Sequence, residues 1–549
     1  MLPQSGLATA AQIPVDIRRF PWINRLAADY AFAYGQVSDF YAGDPRSREA
    51  WRTAIARTRA CPRPGTAVAD VIGAQQARRG APAAAVTTAN LLRRPETVAV
   101  VTGQQAGLFG GPLFTLLKAL TAIRLAERIR VEERVPAVPV FWVDAEDHDW
   151  DEVKGCGLLD AEMQLRHVSI GHPAGANEGS VARVGLDETI EEAIEELQRV
   201  LPATEFTPAL LSSLREAYQP GIGMADAFAR WLEATLGPLG LVVYDASDVA
   251  TKPLVAQVFA RELEHAGETS RAAIAAGAAL KARGYHAQVS PVETSACLFH
   301  LGHGREGVQV EGDAFRVGDR VESREALIEE ARRAPEHFSP NVLLRPIIQD
   351  SLFPTVAYVS GPSELAYLGQ LRAVYDAFGV PMPLVFQRAS ATLVDSNALR
   401  FLTKHEVPLA ALRPQDEAAL NALLEAQLPP AIEQAVTAVG EAIRDRMEAV
   451  AREVTQVDPT LEGATRSTLG RMDDDLRKLH GKIIQAAKRK DETLRRQFTH
   501  AQRQAFPGGH PQEREIGFVG FLNKYGPGLV ERLSEELTLD MGTHWIIVV

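Results

Sequence analysis

Between residues 96 and 149 two short apolar runs flank a segment whose apolar residues have helical spacing. The run ETVAVVTG (96–103) is rich in β-branched residues and ends in glycine, which is typical of a buried strand. PLFTLLKALTAIRLAERI (112–129) repeats its apolar positions every three or four residues, which predicts a helix, and Pro112 suits its first turn. VPAVPVFWVDAEDHD (135–149) is a second apolar run. Strand, helix and strand in this order predict a βαβ unit and a parallel sheet with helices on its faces.

Two later regions extend the same pattern. GPLGLVVYDASD (237–248) reads as an apolar strand that ends in acids. PNVLLRPIIQD (340–350) and PTVAYVSGPSELAYLGQLRAVYDAFG (354–379) supply a strand, a tight turn and a helix, whereas GYHAQVSP (284–291) opens a stretch that looks β-rich. We therefore expect an α/β fold with a Rossmann-like parallel-sheet core and inserted connecting segments.

From about residue 411 the pattern changes to long charged helices with apolar residues at steps of three and four. This spacing predicts an antiparallel coiled-coil hairpin whose turn is VDPTLEG (457–463). The apolar positions are Ile432, Val436, Val439, Ile443, Met447, Val450 and Val454 on the first helix, and Leu469, Met472, Leu476, Leu479 and Ile483 on the second. The predicted domains are a helical lead-in packed on the core, the core with two insertions, the hairpin and a tail that returns to the body: 1–90, 91–410 (insertions at about 155–235 and 280–335), 411–505 and 506–549.

Composition narrows the function. The chain has 549 residues, 46% hydrophobic and 23% charged, with a formal charge of −12, so it reads as a globular protein, and the charge does not favour nucleic acid as a partner. Its three distant cysteines form neither a disulfide framework nor a CxxC metal site, which favours a reducing cytoplasm. The first 16 residues make a poor signal peptide, and the uncharged run Thr97–Leu117 contains glutamines, glycines and Pro112, so we expect no membrane helix.

The glycine-rich segment after the first core strand is the first candidate site. Glycines let a backbone approach a ligand, and the amide groups at the start of the following helix attract anions. Phosphate or carboxylate binding is one interpretation and a packing turn is the other, because the segment matches neither the Walker pattern nor GxGxxG. The candidate residues are Gly103, Gln104, Gln105, Gly107, Gly110, Gly111 and Lys118.

An acidic cluster directly after the second core strand is the next candidate. Ligands of open α/β sheets bind at the carboxyl ends of strands, so acids there could hold an ammonium group, coordinate Mg²⁺ or remove a proton from an attacking amine. The alternative is a solvated acidic loop, and a zinc site lacks a second histidine at i+4. The candidate catalytic residues are Asp144, Glu146, Asp147, His148 and Asp149.

A strand, a Gly-Pro turn and a helix start form the third candidate, with Arg345 upstream as a carboxylate or phosphate clamp. Its residues are Tyr358, Ser360, Gly361, Ser363 and Glu364. Ser360 as a helix N-cap is an equally good structural explanation. His300 and His303 have metal-like spacing, but we favour a structural use, and we assign no metal ligands.

Four segments resemble the BshC family, the cysteine-adding enzyme of bacillithiol biosynthesis. They are VTGQQAGLFGGPLFTLLK, PVFWVDAEDHDWDEV, SPNVLLRPIIQDSLFPTVAYVSGPSELAYLGQL and the tail QERE…FLNKYG. The resemblance implies a Rossmann-type core related to class I synthetases and nucleotidyltransferases, and a coiled coil through which the protein forms a homodimer. It also implies the reaction, which joins L-cysteine to glucosaminyl malate.

The implied chemistry requires an activated carboxylate, as an adenylate or acyl phosphate, because forming an amide in water is uphill. ATP or another nucleotide with Mg²⁺ is the expected energy source, although the HIGH and KMSKS signatures of class I synthetases do not occur here. In this hypothesis the glycine loop and Lys118 hold phosphates, and the acids after the second strand bind cysteine's ammonium group and deprotonate the amine.

Two other functions remain open at this point: a coiled-coil dimeric nucleotide-binding scaffold or regulator, and a metal-dependent hydrolase that uses Asp147, His148 and Asp149. The ligase hypothesis makes one geometric prediction. The strand ends that carry Gln104 and Asp147 must open onto a shared cavity.

Overall fold

The computed structural model describes residues 12–177, 179–302, 304–426, 430–490 and 492–549. These residues divide into two compact units. The first unit runs to Thr392 and also includes 512–547 and 549, and the second comprises 393–511 and 548.

The strands, in chain order, are β1 (Gln12–Asp16), β2 (Val98–Gln105), β3 (Ala137–Asp144), β4 (Gly155–Leu159), β5 (Leu165–Ser169), β6 (Val242–Asp245), β7 (Ser295–His300), β8 (Glu306–Glu311), β9 (Ala314–Val317), β10 (Arg320–Ser323), β11 (Phe338–Pro340), β12 (Thr355–Ser360), β13 (Leu384–Gln387), β14 (Ser390–Val394) and β15 (Thr543–Val548).

The α-helices up to residue 378 are α1 (Arg25–Phe32), α2 (Arg48–Ala60), α3 (Gly65–Arg79), α4 (Ala83–Asn90), α5 (Leu113–Glu132), α6 (Trp150–Val153), α7 (Thr189–Val200), α8 (Thr207–Ala217), α9 (Met224–Leu236), α10 (Ala256–Glu264), α11 (Glu268–Ala282), α12 (Arg324–Arg333), α13 (Arg345–Leu352), α14 (Glu364–Leu368) and α15 (Arg372–Phe378). The later helices are α16 (Ser396–Lys404), α17 (Ala418–Ala426), α18 (Pro430–Val454), α19 (Leu461–Lys490), α20 (Glu492–Ala505), α21 (Gln512–Glu515), α22 (Phe518–Tyr525) and α23 (Gly528–Glu536).

A five-stranded parallel sheet in the order β13-β12-β2-β3-β6 forms the centre of the first unit. Counted along the chain, these strands lie in the order 3-2-1-4-5, which reverses between β2 and β12, as in Rossmann folds. The strands are apolar runs because helices cover the sheet: α5 packs on β2 and β3, α2 on β12, and α9 on β6. The predicted βαβ unit and Rossmann-like core are confirmed.

The connecting segments form smaller sheets. The stretch 280–335 contributes β7 to β10, which join β11 in an antiparallel sheet of order β10-β9-β8-β7-β11. Residues 284–291 belong to no strand, so the expectation that GYHAQVSP opens the β-rich stretch is wrong, and the sheet begins at Ser295. β4 and β5 pair as a hairpin between β3 and α7.

Antiparallel helices α18 and α19 form the predicted coiled-coil hairpin in the second unit. A Cβ atom added to Gly440 would lie 3.3 Å from Leu476 Cδ2, and His480 Nε2 lies 2.8 Å from Glu433 Oε1, which fixes the register. The helices turn between Val454 and Leu461, so the LEG part of the predicted turn is already helical. Among the helices in the described ranges, none is long and apolar enough to cross a bilayer.

Candidate functional site

A cavity of about 290 Å³ lies where the strand order of the central sheet reverses. Gly103, Gln104 and Gln105 reach it from the end of β2, Asp144 from the end of β3, and Tyr358 from β12. Gln105 lies opposite Asp144 in the β2–β3 register, and its Nε2 donates to Asp147 Oδ2 at 2.9 Å. The prediction that these strand ends open onto one cavity is therefore confirmed.

Ten of the sequence-predicted residues line this cavity: Gly103, Gln104, Gln105, Lys118, Asp144, Arg345, Tyr358, Gly361, Ser363 and Glu364. The other eight are outside its lining: Gly107, Gly110, Gly111, Glu146, Asp147, His148, Asp149 and Ser360.

Lys118 ties the end of β2 to the start of α14. Its buried Nζ donates to Gly103 O at 2.9 Å and to Gln104 Oε1 at 3.2 Å, and it lies 2.7 Å from Glu364 Oε2. An ammonium group has three N–H donors, and all three are used here. Lys118 therefore orders the cavity wall, and the expectation that it would contact phosphates is not supported by this geometry.

The Glu364 carboxylate accepts several hydrogen bonds from the residues of this cavity wall. Besides Lys118, it accepts hydrogen bonds from Gly361 N at 2.6 Å, from Tyr358 Oη at 3.0 Å and from Tyr367 Oη at 3.4 Å. Burial works against the ionised carboxyl, but Lys118 and the Gly361 amide outweigh it, so the pKa of Glu364 lies below its ordinary value. Glu364 is thus a fixed anion that holds two tyrosine hydroxyls in place.

Asp144 and Arg345 face each other across the same cavity. Arg345 Nε lies 3.6 Å from Asp144 Oδ2, and its Nη atoms donate to Gln349 Oε1 and Tyr367 Oη. Loss of water around the carboxyl raises the pKa of Asp144; Arg345 opposes this shift and the nearby Asp147 adds to it. A raised pKa makes the ionised carboxylate a stronger base, which suits a proton acceptor.

The glycine loop packs against protein, which corrects the expected phosphate cradle. A Cβ atom on Gly110 would lie 2.3 Å from Trp231 Cζ3 and 2.5 Å from Phe518 Cε1, and one on Gly107 would lie 3.0 Å from Gly111 Cα. The amides of Gly110, Gly111 and Leu113 donate to Gly107 O, Leu108 O and Ile516 O. Because these amides are bonded, the packing-turn interpretation accounts for the loop.

The acids that follow Asp144 spread in different directions. Glu146 forms a buried ion pair with Lys252, and Asp149 caps α6 by accepting from Glu152 N at 3.0 Å. His148 is exposed, with Nδ1 3.0 Å from Asp147 Oδ1. Glu146 and Asp149 are thus bonded elsewhere, whereas Asp147 stays beside the cavity through Gln105, and its joint action with Asp144 remains a prediction. Among the described residues Asp147, His148 and Asp149 do not form a group that could hold a metal, so the metal-hydrolase alternative loses its ligand set.

Ser360 is the last residue of β12, not a helix cap. Helix α14 begins at Glu364, whose own carboxylate bonds the Gly361 amide, while the Ser360 carbonyl accepts from Arg388 N at 2.8 Å. The capping interpretation of Ser360 is therefore wrong: Ser363 is the residue before α14, and it makes no side-chain capping hydrogen bond.

His300 has a structural environment, and His303 lies outside the described residues. His300, Glu330 and His337 bring possible ligand atoms within 4.8 Å of one another. However, Gly302 N donates to His300 Nδ1 at 3.2 Å, which leaves the proton on Nε2, where it can donate to Glu330 Oε1 at 3.2 Å. In that tautomer Nε2 has no lone pair to offer a metal.

Seven of the residues that line the cavity were missed by the sequence analysis. These residues are Phe114, Trp142, Glu152, Val342, Tyr367, Arg388 and Arg514. Trp142 could have been predicted, because it lies two residues before Asp144 on β3 and alternate residues share a face of a strand. Arg514 comes from α21, far along the chain, and no local pattern points to it.

Comparisons with known proteins cover the whole of this architecture. Residues 11–389 match the family described as "Bacillithiol biosynthesis BshC, N-terminal Rossmann-like domain", and residues 391–549 match "Bacillithiol biosynthesis BshC, C-terminal coiled-coil domain". A protein of Salinibacter ruber named "Putative cysteine ligase BshC" is 36% identical over 97% of both chains. Proteins of the same name from Chlorobaculum tepidum (35% identical, 81% of this chain and 82% of the relative) and Symbiobacterium thermophilum (34%, 94% and 96%) are also similar.

Proposed function

The chain belongs to the bacillithiol biosynthesis BshC family, and from this membership we propose that it is a ligase that joins the carboxyl group of L-cysteine to the amino group of glucosaminyl malate. The name of the relatives supports the cysteine ligase activity. The product is a low-molecular-weight thiol, so the reducing cytoplasm is the proposed place of synthesis. The three cysteines, all free, suit such a compartment.

One observation carries the proposal: the cavity brings together both signs of charge at the strand ends. Four cationic side chains (Lys118, Arg345, Arg388 and Arg514) and three acids (Asp144, Glu152 and Glu364) line a space of about 290 Å³. Small-molecule pockets start at roughly this size. A lining of this kind suits substrates that carry an ammonium group at one end and carboxylates at the other.

Asp144 is the proposed general base. The sugar amine attacks as a free base, so its ammonium form must lose a proton before or during C–N bond formation. Asp144 has a raised pKa and ends β3, whose main chain is fixed by β2 and β6 on either side. Arg345 and the Lys118–Glu364 pair hold the surrounding groups, so Asp144 keeps its position while the proton moves.

Activation of the cysteine carboxylate requires an energy source, and ATP with Mg²⁺ is the proposed one. The glycine loop does not fit a triphosphate, because the Gly110, Gly111 and Leu113 amides are bonded within the protein. The glycine loop is therefore not the proposed nucleotide site.

The test is to incubate the protein with L-cysteine, glucosaminyl malate and ATP, and to follow the amide product, AMP and ADP by mass spectrometry. We expect product from the wild type and a loss of about 10²–10⁴-fold in kcat for Asp144→Asn. Asp149→Asn is the matched control, since Asn also caps helices and Asp149 lies outside the cavity lining.

The outcomes separate the alternatives. Product without nucleotide turnover contradicts the activation step alone. No product from wild type under any of these conditions contradicts the ligase and favours a dimeric scaffold whose coiled coil is the working part. Equal rates for Asp144→Asn and Asp149→Asn contradict the role of Asp144.

A further inference from the structure

Arg388 presents an unusual donor at the cavity. It follows β13, its side chain is only 3% exposed, and it lies over the Phe114 ring at 5.5 Å. Nη1 donates to Glu513 Oε2 and Ala389 O at 2.9 Å each, and Nη2 donates to Glu513 Oε1 at 2.7 Å. Its Nε has no hydrogen-bond partner in the described part of the protein, and it lies near Gly361, on which a Cβ would be 4.0 Å away.

Glu513 fixes the orientation of this guanidinium. Its carboxylate also accepts from Ser390 Oγ at 3.0 Å and Ala391 N at 3.3 Å, and Ser390 Oγ contacts His544 Nδ1 at 2.7 Å. Burial opposes the ionised form of Glu513, but Arg388 outweighs it and lowers the pKa of this carboxyl to about 2. With both Nη atoms held by Glu513, rotation of Arg388 toward other partners would break a bidentate ion pair.

A second donor of the same kind lines the cavity. Trp142 is 1% exposed, and its Nε1 also has no hydrogen-bond partner among the described residues. Buried N–H groups in proteins are almost always bonded, because leaving one unbonded is unfavourable. Both residues line the same cavity, and their two buried, unbonded donors, one of them charged, point to an anionic oxygen acceptor in the bound state.

We infer that Arg388 Nε binds a substrate carboxylate oxygen and that Glu513 is its positioning residue. The inference rests on the proposed function, because it assigns a subsite within that cavity. A carboxylate is favoured over a triphosphate, since the cavity of about 290 Å³ is near the lower limit for small-molecule pockets. The carboxylate comes from one of two sources, the malyl group of the acceptor or cysteine itself.

The test measures binding by calorimetry in two matched arms. One arm compares L-malate with L-malamide, and the other compares L-cysteine with L-cysteinamide, each on wild type, Arg388→Lys and the control Arg316→Lys. Lysine keeps the charge and lacks Nε–H. Arg316 is exposed on β9, outside the cavity lining.

We expect wild type and Arg316→Lys to prefer the carboxylate to its amide by about ten- to a hundredfold in one arm, the value of a hydrogen bond to a charged group. Arg388→Lys should lose most of that preference. Because the comparison is made between two ligands on the same protein, a general loss of folding cannot imitate it. The arm that changes identifies the source of the carboxylate.

Glu513→Gln tests the positioning role through steady-state kinetics of ligation. We expect the KM of the substrate identified by calorimetry as the source of the carboxylate to rise about tenfold, with little change in kcat. Glu513→Asp should recover part of the loss. KM for methyl glucosaminide, which lacks the malyl carboxylates, should stay constant if the malate arm is the one that changes.

Unchanged preferences in both arms for Arg388→Lys would overturn the inference. Failure of the proposed function has a different signature: wild type makes no product, yet the carboxylate preference and its dependence on Arg388 remain.

Discussion

At the scale of single residues, Asp144 connects stability with chemistry. Its pKa is raised above the ordinary value, so the folded state holds a proton more tightly than the unfolded state does. Stability from this group therefore falls as pH rises through the range between the two pKa values, and at pH 7 the ionised carboxyl destabilises the fold. We expect Asp144→Asn to raise the melting temperature at pH 7 while it lowers product formation. A melting-temperature difference between variant and wild type that does not shift in favour of the variant as pH rises would contradict the raised pKa.

The buried pair Arg79–Glu233 supplies a second prediction at this scale. Arg79 Nε lies 2.8 Å from Glu233 Oε2, Arg79 Nη2 donates to Val243 O at 2.7 Å, and both side chains are almost fully buried. Removal of one partner leaves an uncompensated charge, so Arg79→Ala should lower the free energy of unfolding by about 3–5 kcal/mol. Arg93→Ala, at an exposed ion pair with Asp70, is the control and should change it little in urea titrations.

The positions of site residues were easiest to predict where the main chain sets the direction of the side chain. Asp144 ends β3, so the strand itself aims it at the ligand-binding edge of the sheet. One or two residues later the chain leaves the strand, and partners distant in sequence decide the outcome, as Lys252 does for Glu146. Arg388 was missed because the residue that holds its side chain, Glu513, lies 125 residues away in sequence.

At the scale of elements, the sequence predicted the position of the glycine loop between β2 and α5, but the expected binding of phosphate by the loop was wrong. Gly110 has φ +90°, and Trp231 and Phe518 occupy the place of a side chain. Gly110→Ala should therefore be about 1–3 kcal/mol more destabilising than Gly80→Ala, measured by urea unfolding. Gly80 has φ +70° and open space around its Cβ position, so it shares the backbone strain without the overlap. Equal losses would show that packing is not the constraint.

Strands β14 and β15 carry a pH-dependent contact. His544 on β15 lies 2.7 Å from Ser390 Oγ and 2.8 Å from Thr392 Oγ1, and burial lowers its pKa to about 4. The unfolded histidine binds a proton below about pH 6.5, so stability falls as pH drops from there toward 4. Between pH 7 and pH 5 we expect a loss of about 2 kcal/mol from this group.

His544→Gln should remove that loss, whereas His265→Gln, at an exposed position, should keep it. Tryptophan fluorescence in urea is the measurement, because all six tryptophans of the chain lie in the first unit. A wild-type stability that does not change between pH 7 and pH 5 would contradict the buried neutral histidine.

At the scale of the whole molecule, the spacing of apolar residues predicted both the parallel sheet and the helical hairpin, because each is built from many repeats of one local pattern. Apolar runs gave the parallel sheet, and steps of three and four gave the hairpin. The strand order 3-2-1-4-5 and the place of its reversal depend on pairings between distant segments, such as β2 with β12, which no local pattern contains. The cavity could therefore be expected at strand ends, but its full lining could not.

In the hairpin, several side chains of the apolar repeat remain about half exposed. From this exposure we predict that the protein self-associates through the hairpin. Val439 is 48%, Val450 45%, Met472 40% and Leu479 51% exposed, although all four belong to the apolar repeat. Pairing of α18 with α19 alone therefore does not cover the repeat, and a second copy of the same hairpin would. We expect a homodimer in solution by light scattering.

Leu479→Glu should shift this dimer toward monomer at low micromolar concentration, because a carboxylate would be buried against an apolar surface. Asp474→Lys, which also changes charge on α19 but lies outside the apolar repeat, is the control and should stay dimeric. A monomeric wild type, or a Leu479→Glu variant as dimeric as the control, would show that the repeat packs against something other than a second copy of this chain.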